Sequence, residues 1–204
     1  MHYPAFYDEA PRIAMRDPLA ALLGAADDGL IDYGYADAVR LAGHSCPTVA
    51  GAYLMARTAL RTLYPDQPAE RGGICVRMPA AEDEGVTGVT AQVLTLITGA
   101  AASNGFHGIG GRFVRQSLLS YAAVRGASAV QFHRRDNGDA VSVELDLSRV
   151  PPAPQLRELM GAALDPAATA AQRTAFGQAW QDRVRRLLLD HADDPQVVRL
   201  TQLQ

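Results

Sequence analysis

With 204 residues, 48% of them hydrophobic and 20% charged, the chain is long enough to bury a sizeable core, as one domain with an appendage or as two small domains. A net charge of −3 supplies no basic footprint for nucleic acid or an anionic membrane surface. No apolar run reaches the roughly 18–20 residues that cross a bilayer, the first residues lack the regions of a signal peptide, and two cysteines make no disulfide framework. The expectation is a cytoplasmic protein with neither nucleic-acid nor membrane partners.

Residues 12–23 read as a helix beginning near Asp17-Pro18, since Asp is a good N-cap and Pro a good first residue. Gly24 closes it, and Asp27-Asp28-Gly29 is a turn. Ile31, Tyr35, Ala38, Val39 and Leu41 suggest a second helix over 30–41. A third, from Thr48 to about Tyr64, is apolar nearly all round and should be buried on more than one side. Pro65-Asp66-Gln67-Pro68 ends it. The alternating, β-branched stretch 73–79 predicts a strand. Glu82-Asp83-Glu84-Gly85 then leads into a helix with Val86, Val89, Val93, Leu96 and Ile97 on one face, stopped at Gly99.

The run Ser103 to Gly111 is a glycine-rich loop, and three strand candidates follow at 112–122, 127–135 and 139–147. Asp136-Asn137-Gly138-Asp139 is a hairpin signal between the last two. Residues 47–147 thus read α-β-α-β-β-β, an α+β core with a mostly antiparallel mixed sheet covered by helices and flanked by N- and C-terminal helical extensions. Pro151-Pro152-Ala153-Pro154 marks a boundary between 1–150 and 151–204. Beyond it, helices are expected near 155–163 and 168–191, the second with a stripe of Phe176, Trp180, Val184, Leu187, Leu188 and His191, docked on the core or on a second copy. Val197 to Leu200 is a possible closing strand.

The chemistry-bearing stretch is Gly43-His44-Ser45-Cys46-Pro47, which holds one of five histidines and one of two cysteines. Pro47 suits the first helical position, which makes Cys46 the N-cap and puts its sulfur near the positive helix end, where a thiolate is favoured. His44 can approach the same point from the loop. A structural zinc wants four ligands and a catalytic one three plus water. Residue types alone therefore narrowly favour a capping cysteine and a loop histidine, with Cys75 as a small core residue. His107, in the glycine-rich loop, is the best third ligand or acid/base and otherwise a solvated loop histidine. The glycines equally fit a tight turn or a nest of N–H groups that holds an anion. Glu82, Asp83 and Glu84 read as a solvated cap at a helix N-terminus, or in a minority reading as an oxygen ligand or base. His133 reads as surface, and His191 as a favourable cation at a helix end.

Taken together, three segments resemble the FmdE-like family, named for a component of formylmethanofuran dehydrogenase, over about residues 30–147. Gly43-His44-Ser45-Cys46-Pro47 with Gly51 is similar to its Gly-His-x-Cys-Pro-Gly opening, and 88–99 to its second helix. Asn104-Gly105-Phe106-His107-Gly108 falls where the family has a Phe-Gly-Lys-Gly loop. The resemblance implies an α+β fold, a homodimer and a bound transition metal, often zinc, held by His44 and Cys46. Gly105, Phe106 and Gly108 are the cofactor-binding loop positions it suggests. The departures are Glu82-Asp83-Glu84-Gly85-Val86 for an Asn-Asp-Ser-Cys segment, Gly99-Ala100-Ala101 for Gly-Cys-Thr, His107 for the lysine, and no C-terminal Cys-x-x-Cys ribbon. Two thiols are lost and an imidazole gained, which favours a mixed-donor site for zinc or a related divalent ion.

Three functions are then open. In the first, His44, Cys46 and His107 or an acidic residue hold a divalent ion that activates water or polarises a carbonyl. In the second, the same residues form a non-catalytic module for haem, or for metal passed to a partner oxidoreductase. In the third, Cys46 is a nucleophile with a histidine base.

Overall fold

The computed structural model describes residues 3–122 and 129–203. The five-stranded sheet is built from β4 (Ile74–Met78), β5 (Leu119–Tyr121), β6 (Val130–Arg134), β7 (Ala140–Leu145) and β8 (Val198–Leu203), in the order β5-β4-β6-β7-β8. Only β4 and β5 run parallel; every other neighbouring pair is antiparallel. With the helices α4 (Pro47–Leu63) and α5 (Thr87–Thr98), the central order is α-β-α-β-β-β, the α+β fold expected. Alternation decides the inner face: Ile74, Val76 and Met78 are buried, and Arg77 is exposed. Asn137 and Gly138 turn the β6–β7 hairpin, Gly138 at φ +82°.

Helix α4 is the central beam. Val49, Ala52, Tyr53, Leu54 and Ala56 are fully buried, because α5, β7 and the C-terminal elements all press on it. It lies close to the sheet at Gly51, where an added Cβ would stand 2.2 Å from the Leu145 side chain. A larger residue there would force the Leu145 side chain to shift, so Gly51 lets helix and sheet pack as they do.

The N-terminal third departs from the helical expectation. Residues 13–16 are a strand, β1 (Ile13–Arg16), and the expected 30–41 helix is divided into β2 (Leu30–Tyr33) and α3 (Tyr35–Ala42). Together with β3 (Ala69–Glu70), β1 and β2 make a separate three-stranded sheet, order β2-β1-β3. Pairing of Ile13–Arg16 with Leu30–Tyr33 overrides the helical periodicity, and Gly34 releases the chain into α3. There the Asp37 carboxylate accepts the Gly34 N–H at 2.9 Å, fixing the helix start. Two short helices, α1 (Phe6–Glu9) and α2 (Pro18–Leu22), complete this part. As the sequence indicates, α2 is capped by Asp17, whose carboxylate accepts the amides of Leu19 and Ala20. Tyr53 ties the small sheet to the beam, its hydroxyl reaching the carbonyls of Pro11 and Tyr33 at 2.8 and 2.9 Å.

Three further expectations are corrected. The strand expected at 112–122 is limited to Leu119–Tyr121, because loop contacts hold the residues before it. The first residues of the 127–135 expectation lie outside the described ones. Helix α5 starts at Thr87 with no acidic residue in its first turn, so Glu82, Asp83 and Glu84 form a turn before the helix instead of its cap. Cys75 is half-buried on β4, opposite His133, and packs against the margin of the core instead of lying inside it.

After α6 (Leu156–Leu164), α7 (Ala170–Arg185) runs into a single π-helical turn at Arg186–Asp190. Val184, Leu187 and Leu188 are fully buried and Trp180 packs against the core, whereas Phe176 and His191 are half-buried, so the expected stripe faces the core over most of its length. The closing strand expected at 197–200 forms as β8, paired with β7 along its whole length.

Candidate functional site

The His44–Cys46 corner lies where α3 hands the chain to α4. Gly43 caps α3 at φ +73°, a left-handed conformation that glycine adopts without a Cβ penalty. Cys46 is extended at φ −151° and ψ 168°, the N-cap of α4 as Pro47 indicates. Its thiol makes no capping hydrogen bond and the residue is only 8% exposed, whereas its carbonyl accepts the Ala50 N–H at 3.0 Å.

His44 is exposed, and its Nδ1 stands 3.0 Å from the Ala42 carbonyl. A carbonyl oxygen only accepts, so Nδ1 is the protonated nitrogen of the contact, and in the neutral ring Nε2 is the one that carries the lone pair. This backbone anchor on the far nitrogen is the arrangement that orients metal-bound imidazoles.

Between the two, Ser45 is buried and bound to the C-terminal helix. Its hydroxyl donates to Gln181 Oε1 at 3.0 Å and accepts from Tyr35, 2.9 Å away. Its carbonyl accepts Trp180 Nε1–H at 2.9 Å and Gln181 Nε2–H at 3.3 Å. Tyr7 adds a bond to Gln181 at 3.3 Å. Burial pushes the Tyr35 phenol far above its ordinary range; the Ser45 bond opposes this, while Tyr7 and Cys46 add to it. The cluster is therefore neutral at physiological pH and holds the corner by hydrogen bonds alone. Sequence reasoning missed it, although Trp180, the sole tryptophan, was a signal.

His107 lies elsewhere, in the loop after α5. That loop is tied down by the Phe106 carbonyl, which accepts the amides of Arg115 and Gln116, and by a two-way bridge between Ile109 and Arg112. Gly105 and Gly108 have no space for a side chain: a Cβ would stand 2.5 Å from the Gln116 N and 2.3 Å from the Arg112 O. Both glycines are spent on closing the loop, whereas Phe106 and His107 are exposed. Among the described residues no three His, Cys, Asp or Glu side chains are placed to hold a metal ion together, so one chain does not gather His44, Cys46 and His107 into a shell.

Beside the loop is a second polar centre that the motifs did not indicate. Asp17, only 3% exposed, pairs with Arg71 Nη1 at 3.0 Å and Arg115 Nη2 at 2.6 Å. Arg115 also donates to the Arg71 carbonyl. Burial alone would raise the Asp17 carboxyl, but the Arg71 hydrogen bond, the charge of Arg115 and the Leu19 amide hold it below the ordinary carboxylate range.

The profile of the family described as FmdE, molybdenum formylmethanofuran dehydrogenase operon, matches residues 41–194. The chain belongs to the FmdE family. The match begins just before the His44–Cys46 corner and runs through α7, past the residue 147 at which the sequence resemblance stopped. The family region thus includes both the candidate ligands and the Trp180–Gln181 pair that holds Ser45 between them. No curated protein matches the chain. No helix among the described residues is long and apolar enough to cross a membrane.

Proposed function

We propose that this FmdE-family chain binds a divalent metal ion of the zinc class, with His44 Nε2 and Cys46 Sγ as two of its ligands. The observation that carries the reading is the His44 Nδ1–H bond to Ala42, which leaves Nε2 as the free donor two residues from a thiol at a helix N-terminus. An imidazole and a thiol suit a borderline-soft ion. Such an ion takes three or four protein ligands. The remaining positions belong to a second copy of the chain, to solvent or to a partner oxidoreductase, and the exposed His107 is the donor a second copy would bring.

When bound with an open position, such an ion lowers the pKa of its water or polarises a carbonyl. The chain's own residues orient the ligands. Ser45, fixed by Gln181 and Trp180, holds the loop, and the Ala42 carbonyl holds the imidazole.

Elemental analysis with gel filtration of wild type, His44→Ala and Cys46→Ala tests this. Wild type should carry roughly one ion per chain and melt higher with added zinc, the mark of a ligand bound by the folded state. Each variant should lose both effects. Wild-type metal content in both variants, or a Soret band in protein purified with haem supplied, would overturn it.

A further inference from the structure

The glycine-rich loop borders a cleft of about 410 Å³ between it and the β3–β4 turn, well away from His44 and Cys46 in the chain. Arg71, Arg112, Arg115 and Arg135 line it, against a single carboxylate, Glu70. Asp17, already shared by Arg71 and Arg115, neutralises one of these four charges from behind the wall. In a chain of net charge −3 this is a local concentration of cations.

The donors are only partly used. Arg112 and Arg135 make no ion pair among the described residues. Arg135 spends Nη1 on the Gly72 carbonyl at 2.9 Å, and Arg112 lies over the Phe113 ring at 4.9 Å, a stacking that holds its planar fork in place. Arg115 is 7% exposed, and its Nε has no partner among the described residues. A buried, charged donor left unmet is costly unless something accepts from it.

The backbone is shaped around the same place. Gly72, at φ +86°, admits Arg115 where a Cβ would stand 1.5 Å from Nη1. Phe113 holds φ +61°, an unfavourable conformation for a bulky residue, next to Gly110 and Gly111, also left-handed. Strain of this kind concentrates where a loop is held in shape for a ligand.

We propose that this cleft binds an oxyanion of the phosphate class carried on a small molecule, with Arg112 and Arg135 as the contacting forks and Arg115 as the buried charge behind them. Planar guanidinium forks match phosphate oxygens two at a time, and the volume falls in the range of small-molecule pockets. Burial and the neighbouring Arg71 and Arg135 depress the Arg115 guanidinium, which Asp17 and Glu70 offset in part; a bound anion would offset it further. Macromolecular phosphate fits less well, because a chain of net charge −3 has little overall attraction for a polyanion.

Equilibrium dialysis of the full chain against inorganic phosphate at low ionic strength tests the proposal, with chloride at matched ionic strength and citrate as separate arms. Wild type should bind phosphate at low-millimolar concentration or tighter, and citrate at least several-fold more weakly. Arg112→Ala/Arg135→Ala should weaken phosphate binding tenfold or more while its circular dichroism and melting temperature stay those of wild type. Arg112→Lys, which retains charge without the fork, should fall between. Failure of wild type to take up phosphate at 10 mM, an equal response to citrate or chloride, or full binding by the double variant would each overturn it.

Discussion

The corner at His44–Cys46 and the cluster at Asp17–Arg71–Arg115 are both polar, both partly buried and both built at the junction of a loop and a helix. They differ in what holds them. The corner is neutral: hydroxyls, an amide and an indole from α7 and the N-terminal segment bind Ser45, while of the two donor side chains beside it His44 is held only by the Ala42 carbonyl and the Cys46 thiol makes no capping bond. The cluster is ionic: a buried carboxylate is shared by two arginines, and those bonds fix the fold of the adjoining loop. A neutral scaffold can present ligands without depending on them, whereas an ionic one cannot lose a member without stranding a charge. The first design separates stability from chemistry, and the second merges them.

The sharpest way to break this contrast is Asp17→Ala. It strands Arg115 and Arg71 beside each other and removes the cap of α2, so a loss of about 3–5 kcal/mol in urea unfolding is expected. A loss below about 1 kcal/mol would mean that water already serves the arginines and that the cluster is not ionic in effect. The same carboxylate predicts the acid limb. Its folded pKa is depressed, so its stabilisation is complete above the ordinary carboxylate value of 3.8 and is lost as pH falls through the lower folded value. Asp17→Asn should therefore show a shallower decline than wild type in melting temperature below about pH 4.

Trp180→Phe is the corresponding test of the neutral corner. It keeps most of the ring and removes one donor to the Ser45 carbonyl, for an expected cost of about 1 kcal/mol and no change in pH dependence. A cost as large as that of Asp17→Ala would remove the distinction. The smallest effect is expected for His44→Ala. The ring is exposed and held by one backbone contact, so metal-free stability should stay within about 0.5 kcal/mol of wild type. A larger loss in calorimetry of the metal-free protein would make His44 a structural residue.

Local signals were readable. Pro47 announces α4 and its Cys46 cap, Asp17-Pro18 announces α2, and Asn137-Gly138 announces the hairpin, each by the backbone chemistry of one or two residues. The three-stranded sheet was not readable. Its strands are two to four residues long and paired across stretches of sequence, and Leu30–Tyr33 shows no fully buried position to betray a face. The site divides the same way. His44 and Cys46 stand out through their types and spacing, but Gln181 reaches Ser45 from 136 residues away, and no periodicity carries that information. His107 stands out by its type, but no spacing shows that its loop keeps it apart from His44 and Cys46 within one chain. Gly105 and Gly108 serve its own tight closure, and the charged lining beside it comes from arginines scattered from 71 to 135.

The pairing of β7 with β8 has a consequence for how the protein is made. Residues 140–145 find their partners at 203–198, so the sheet's last seam joins segments more than fifty residues apart. During synthesis β7 waits with an open hydrogen-bonding edge while α6 and α7 emerge, and the inner face lacks Val197 and Val198. At ordinary elongation rates that interval lasts several seconds, far longer than a hairpin needs to form. Until β8 is made, the unpaired edge of β7 is therefore a strand edge open to pairing with a neighbouring chain or to capture by a chaperone.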